Sequence, residues 1–137
     1  MADTLKLEIV TPESVIYSED VDMVTLPGSE GDSGIYPNHV PLMTKVKAGE
    51  LVVKKDGAEE FLAVAEGFAE ITGNHVAILT DNAIDSADVD EAAAEEAKAK
   101  AEQRLEEGGD MTEDEAKALN QAILFSAAQL KAKRSRR

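Results

Sequence analysis

Cysteine and tryptophan are absent from the 137 residues. Without cysteine there are no disulfides and no thiolate chemistry, and the chain is compatible with a reducing compartment. Histidine occurs at His39 and His75 only, and neither belongs to a metal-binding spacing such as HExxH. Aromatic residues make up 4%. No apolar run approaches the roughly 20 residues that span a bilayer. The opening "MADTLKLEIV" resembles neither a signal peptide nor an arginine-rich transit peptide, so the chain is expected to stay where it is made. Cations are also few, 14 against 28 acids, and a net charge of −14 argues against nonspecific nucleic-acid binding.

What remains is enough for a core. Apolar residues make up 43%, and the length fits one domain, or one small domain with an appendage. Charge is uneven along the chain. The last seven residues, "KAKRSRR", carry +5, leaving −19 for residues 1–130. Such a tail is either a solvated end or a surface for an acidic partner.

Two periodicities divide the chain into residues 1–86 and 87–137. In the first part, "LKLEIV" alternates like a half-buried strand. "LVVKK" and "EEFLAVA" flank Asp56-Gly57, while "FAEIT" and "HVAILT" flank Gly73-Asn74; both are hairpin turns. A meander of at least four strands is expected between Leu51 and Thr80, within a β-sandwich. From Asp88 the period is helical. Asp88 with Glu91, and Thr112 with Glu115, have capping-box spacing, and Gly108-Gly109 separates two helices. Val89, Ala93, Ala97, Ala101 and Leu105 are the expected apolar stripe of the first helix. Leu119, Ile123, Ala127 and Leu130 are that of the second, with Phe125 to the side. The fold class is therefore α+β: an antiparallel β-sandwich followed by an antiparallel helical hairpin. Twelve alanines lie between Ala87 and Ala128. Alanine favours the helix, but a buried methyl contributes only about 0.8 kcal/mol, so the hairpin should be stable yet weakly docked.

The sequence shows no catalytic constellation. Asp32, Ser33 and His39 are close in sequence, but a triad needs convergence with an oxyanion site. A hydrogen bond within the loop is the role expected of His39, and His75 should be half exposed on a sheet. "GSEGDSG" matches no phosphate-binding pattern, and Glu30 and Asp32 would repel phosphate. In "GIYPNHVPLM", Gly34 and Pro37 should set the turn while Ile35 and Leu42 anchor it in the core. An adaptor gripping a partner through its helices, or a small hydrolase using His39, would also fit these residues alone.

The stretch "GSEGDSGIYPNHVPLMTKVKAGEL" resembles the epsilon subunit of F-type ATP synthases, whose run is GxxGIxPxHxPL. Gly31, Gly34, Ile35, Pro37, His39, Pro41 and Leu42 fill the matching places. "FLAVAEGFAEITGNHVAILTDNAI" is similar to the strands that follow, through Gly67, Glu70, Val76, Leu79, Asp81 and Ala83. "DVDEAAAEEAKAKAEQRL" is similar to the start of the family's hairpin. The resemblance implies about ten strands and a non-catalytic rotor subunit. It implies contact of the sandwich with the gamma subunit and the c-ring, and of the hairpin with the beta subunit. It also implies coupling of proton- or sodium-driven rotation to ATP synthesis, and a hairpin able to inhibit hydrolysis.

By the same resemblance, Glu30, Gly31, Asp32 and His39 are candidates for contact with the c-ring or gamma, with Tyr36 and Val40 at the same end. Arg134, Arg136 and Arg137 are candidates for contact with an acidic loop of beta. The location implied is peripheral, on the cytoplasmic face of a bacterial membrane, or less favourably a chloroplast thylakoid. No cofactor is expected. Some members bind ATP through [I/L]-D-x-x-R-A, but here Ala93 stands at the arginine, so Asp90 is left mainly as a charge at a helix N-terminus.

Overall fold

The computed structural model describes residues 3–136. Ten strands come first: β1 (Leu5–Val10), β2 (Val15–Val21), β3 (Met23–Leu26), β4 (Ser33–Ile35), β5 (His39–Val46), β6 (Gly49–Lys55), β7 (Ala58–Val64), β8 (Gly67–Gly73), β9 (His75–Thr80) and β10 (Ala83–Asp85). A short 3-10 turn, Ser86–Asp88, leads into α1 (Glu91–Glu107) and α2 (Glu113–Ser135). The strands form two five-stranded sheets. The first has the order β2-β1-β9-β8-β5 and the second β10-β7-β6-β3-β4. Only the β1–β9 pair is parallel among these ladders.

Alternation builds the core. Leu5, Leu7 and Ile9 of β1 point inward and are almost fully buried, while Lys6 and Glu8 face out. Leu51 and Val53 of β6, with Leu62 and Val64 of β7, answer them from the second sheet. Polar contacts from β2 close one side of the sandwich. Lys55 pairs with Glu19, and the buried Tyr17 hydroxyl donates to Glu60 Oε2 at 3.4 Å.

The expected turns form. Asp56 and Gly57 both take positive φ, 52° and 80°, as a two-residue hairpin loop requires. The single meander between Leu51 and Thr80 does not form. β6–β7 is a hairpin of the second sheet and β8–β9 a hairpin of the first, so the chain changes sheet between Val64 and Gly67. Gly67 permits that crossing. A Cβ there would lie 2.0 Å from the Leu79 carbonyl oxygen of β9, closer than any side chain can approach.

The helical hairpin differs from the sequence pattern in its faces. The N-cap of α1 is Asp90, not Asp88, and its Oδ1 accepts from the Ala93 N–H at 3.1 Å. Burial on α1 falls at Ala94 and Ala101, with Leu105 half-buried, while the expected Ala93 and Ala97 are exposed. Thr112 caps α2 as its spacing predicts, accepting from the Glu115 N–H at 3.1 Å. α2 has two partners. It packs on α1, and it packs on β6 and β7 of the second sheet. Phe125, Ala128 and Ala132, at helical spacing, rest against Phe61, Ala63 and Ile84. Phe125, expected to the side, thus lies on the sandwich-facing side. This covering explains why Leu62, Ala63 and Val64 are buried in succession: β7 has a layer on each face.

Candidate subunit-docking surfaces

Three exposed regions carry the candidate residues. The first is the loop from Pro27 to Asp32, joining β3 to β4. The Gly28 N–H donates to the Gly31 carbonyl and the Gly31 N–H to the Gly28 carbonyl, both at 3.2 Å. Gly31 has φ +114°, which glycine alone adopts readily. Glu30, Gly31 and Asp32 are therefore presented outward on a closed, tight loop. The Lys47 N–H donates to the Pro27 carbonyl at 2.9 Å and fixes the loop beside the end of β5.

The second region lies at the opposite end. His39 opens β5, opposite Gly73 at the end of β8. Its Nδ1 is 2.6 Å from the Val40 carbonyl, so Nδ1 carries the proton and donates within the loop. The turn before it is held by the Asn38 N–H, which donates to Asn74 Oδ1 at 2.6 Å, with Asn38 at φ 65°. The length of β5, roughly 20 Å, separates His39 from the Glu30–Asp32 loop. The expectation that Tyr36, His39 and Val40 share that loop's end is corrected by this topology. Ser33 opens β4 at the loop end, so Asp32, Ser33 and His39 do not converge into a triad. Ile35 is buried as expected, but Leu42 is 47% exposed and is not a core anchor. Leu42 pairs with the buried Ile71 and shares its face, but β5 is the edge strand of the first sheet, and just past the register shift after His39 Leu42 is left uncovered.

The third region is one the sequence reading passed over: the outer face of the first sheet. Lys45, Phe68, Leu79 and Val10 stand side by side on β5, β8, β9 and β1. Phe68 and Leu79 are each 50% exposed. Together with Pro12 and with Lys117 of α2 they line a groove of about 560 Å³. Met43, on the next row of β5, is 67% exposed. A polar pair lies further along the face, where His75 Nε2 is 2.6 Å from Glu8 Oε1. The signal was present in "GFAEI" and "HVAIL": Phe68 and Leu79 occupy the alternate positions that a solvent-facing sheet fills with polar residues.

At the C-terminus, Arg134 Nη2 donates to Glu95 Oε1 of α1 at 3.2 Å, and Arg136 is exposed. Arg137 lies outside the described residues. Asp90 is engaged as the α1 cap. Among the described residues no group of three or more acidic or histidine side chains could hold a metal ion, and no helix is long and apolar enough to cross a membrane.

Residues 4–86 match the ATP synthase, Delta/Epsilon chain, beta-sandwich domain. The ATP synthase epsilon chain of Polynucleobacter necessarius is 38% identical over 130 residues, 94% of this chain and 93% of that one. The chain belongs to the ATP synthase epsilon-chain family. Epsilon chains of Desulforamulus reducens and Bacillus subtilis are 42% and 39% identical, each over 80% of this chain and 83% of their own length. The fold recurs in a chain of the Euglena gracilis mitochondrial ATP synthase assembly of OSCP, F1 and c-ring. The TM-score there is 0.75 at 20% identity, covering 94% of this chain and 81% of that one. It recurs in the central stalk and c-ring of Tetrahymena thermophila, with TM-score 0.61 at 13% identity, covering 96% and 97%. The ten-stranded sandwich with a helical hairpin is therefore a fold that recurs in these two assemblies.

Proposed function

We propose that this chain is a non-catalytic rotor subunit of the central stalk, linking ion-driven rotation of the c-ring to ATP synthesis through gamma. One observation carries the reading. The two outer faces of the sandwich are treated differently: α2 covers the second sheet, while the first sheet presents Val10, Phe68 and Leu79 to solvent. Burying such a row against a partner is favourable by about 25 cal/mol per Å² of apolar surface. Gamma is the partner assigned to this face. The Glu30–Asp32 loop is assigned to the polar loops of the c-ring, and His39 to a contact at the other end. Attachment to the membrane is peripheral, through the complex, on the cytoplasmic side of a bacterial membrane.

The hairpin is the regulatory part of the proposal. Its buried apolar contact with the sandwich is built on Phe125, Ala128 and Ala132, and two of these three side chains are single methyls. A weak contact allows two positions separated by a small free-energy gap. In the second position the Arg134–Arg136–Arg137 end meets an acidic surface of beta and inhibits hydrolysis. Reconstitution with and without residues 87–137 tests this: truncation should raise ATP hydrolysis while synthesis continues. Equal hydrolysis in the two complexes would remove the inhibitory role. ATP binding by the isolated chain should be weak or absent, because Ala93 supplies no cation and Asp90 is occupied as a cap. Calorimetry giving micromolar affinity would contradict that.

A further inference from the structure

We propose that Glu95 is a built-in competitor for Arg134, holding its guanidinium within the hairpin and away from an acidic partner. The inference rests on the reading that Arg134 meets an acidic surface of a neighbouring subunit. Arg134 lies in the last turn of α2 and Glu95 in the second turn of α1, 39 positions apart. The hairpin brings them to 3.2 Å. Both side chains remain more than half exposed, at 56% and 57%, so another protein can reach the pair.

The surroundings select for carboxylates. Beside the pair, α1 and α2 leave a cleft of about 400 Å³, lined by Lys98, Ala127, Leu130, Lys131, Arg134 and Ser135. Three cations meet there in a chain of net charge −14. Glu95 already occupies the place on Arg134 that a partner's carboxylate would take. An exposed pair of this kind is weak, so exchange is cheap. An incoming Asp or Glu would form the same charge-assisted bond and gain Lys98 and Lys131 as neighbours. The basic end is thus masked against weak or single acids and open to a clustered acidic surface.

The test uses the assembled complex carrying the full-length chain as wild type, Glu95→Gln, Arg134→Ala, or both, with ATP hydrolysis measured at low and high salt. Glu95→Gln keeps the side-chain volume on an exposed helix position, and Glu95→Ala serves as a second variant. Circular dichroism confirms that each remains helical. Arg134→Ala should relieve inhibition. Glu95→Gln should deepen it by roughly two- to five-fold at low salt, the range an exposed pair supports, and by less at high salt. The double variant should behave as Arg134→Ala. Relief by Arg134→Ala together with an inert Glu95→Gln overturns the competitor role and leaves the Arg134 contact standing. A Glu95→Gln effect that persists without Arg134 also overturns it. An inert Arg134→Ala overturns both.

Discussion

Two residues show how local geometry sets the properties of the sandwich. Gly67 lies where the chain passes from one sheet to the other, and the approach of its Cα to the Leu79 carbonyl leaves no room for a methyl. Gly67→Ala should force β8 and β9 apart and lower stability by about 1–3 kcal/mol, read as a lower urea midpoint. Tyr17 is buried beside Glu60, with its hydroxyl donating to that carboxylate. Burial first, and the Glu60 charge second, push its pKa up from the usual 10.0. The folded state therefore holds the proton after the unfolded chain has released it. Stability from this group is intact below about pH 10 and is lost as pH rises above that value. Tyr17→Phe should flatten the alkaline limb of the stability profile, and an unchanged limb would assign it to other groups. Neither effect was visible in the sequence, where Gly67 stood out only as a position matching the family pattern and Tyr17 did not stand out at all.

At the scale of elements, the sequence was most informative where the backbone chemistry is local. Asp56-Gly57, Gly73, Thr112 and Gly108-Gly109 act where their spacing places them, because a turn or cap needs only its own few residues. Pairing across the chain was less legible. Two consecutive hairpins looked like one meander, since nothing in Ala65 or Glu66 announces a change of sheet. Helix faces were misread for a related reason. In an alanine-rich helix every alanine is an equal candidate for burial, so the choice of Ala94 over Ala93 is made by the partner helix. α2 also has two apolar neighbours, so no single stripe describes it. Its largest contact with the sandwich is Phe125. Phe125→Ala should loosen α2 from β6 and β7 while both helices persist. Hydrogen exchange should then speed up in α2 with little change in β1 or β9, whereas uniform protection would show that the alanines alone hold the hairpin.

Across the whole molecule, the arrangement is a sandwich with one face under the helical hairpin and the other open to solvent. The family resemblance was legible in ordered motifs spanning most of the chain. The exposed apolar face was not, because its row is assembled from four strands and none carries enough of it to stand out. The Glu30–Asp32 loop and His39, close in sequence, are separated by the length of β5, so a single contact to both would have to span that strand. The central claim is that the open face of the first sheet seats the chain on the central stalk. Replacing Phe68 and Leu79 together by glutamate adds charge at half-exposed positions and should leave folding intact. Co-purification of this variant with gamma and the c-ring tests the claim most directly. The account predicts loss of association with an unchanged circular dichroism spectrum; association as complete as that of the wild-type chain would contradict it.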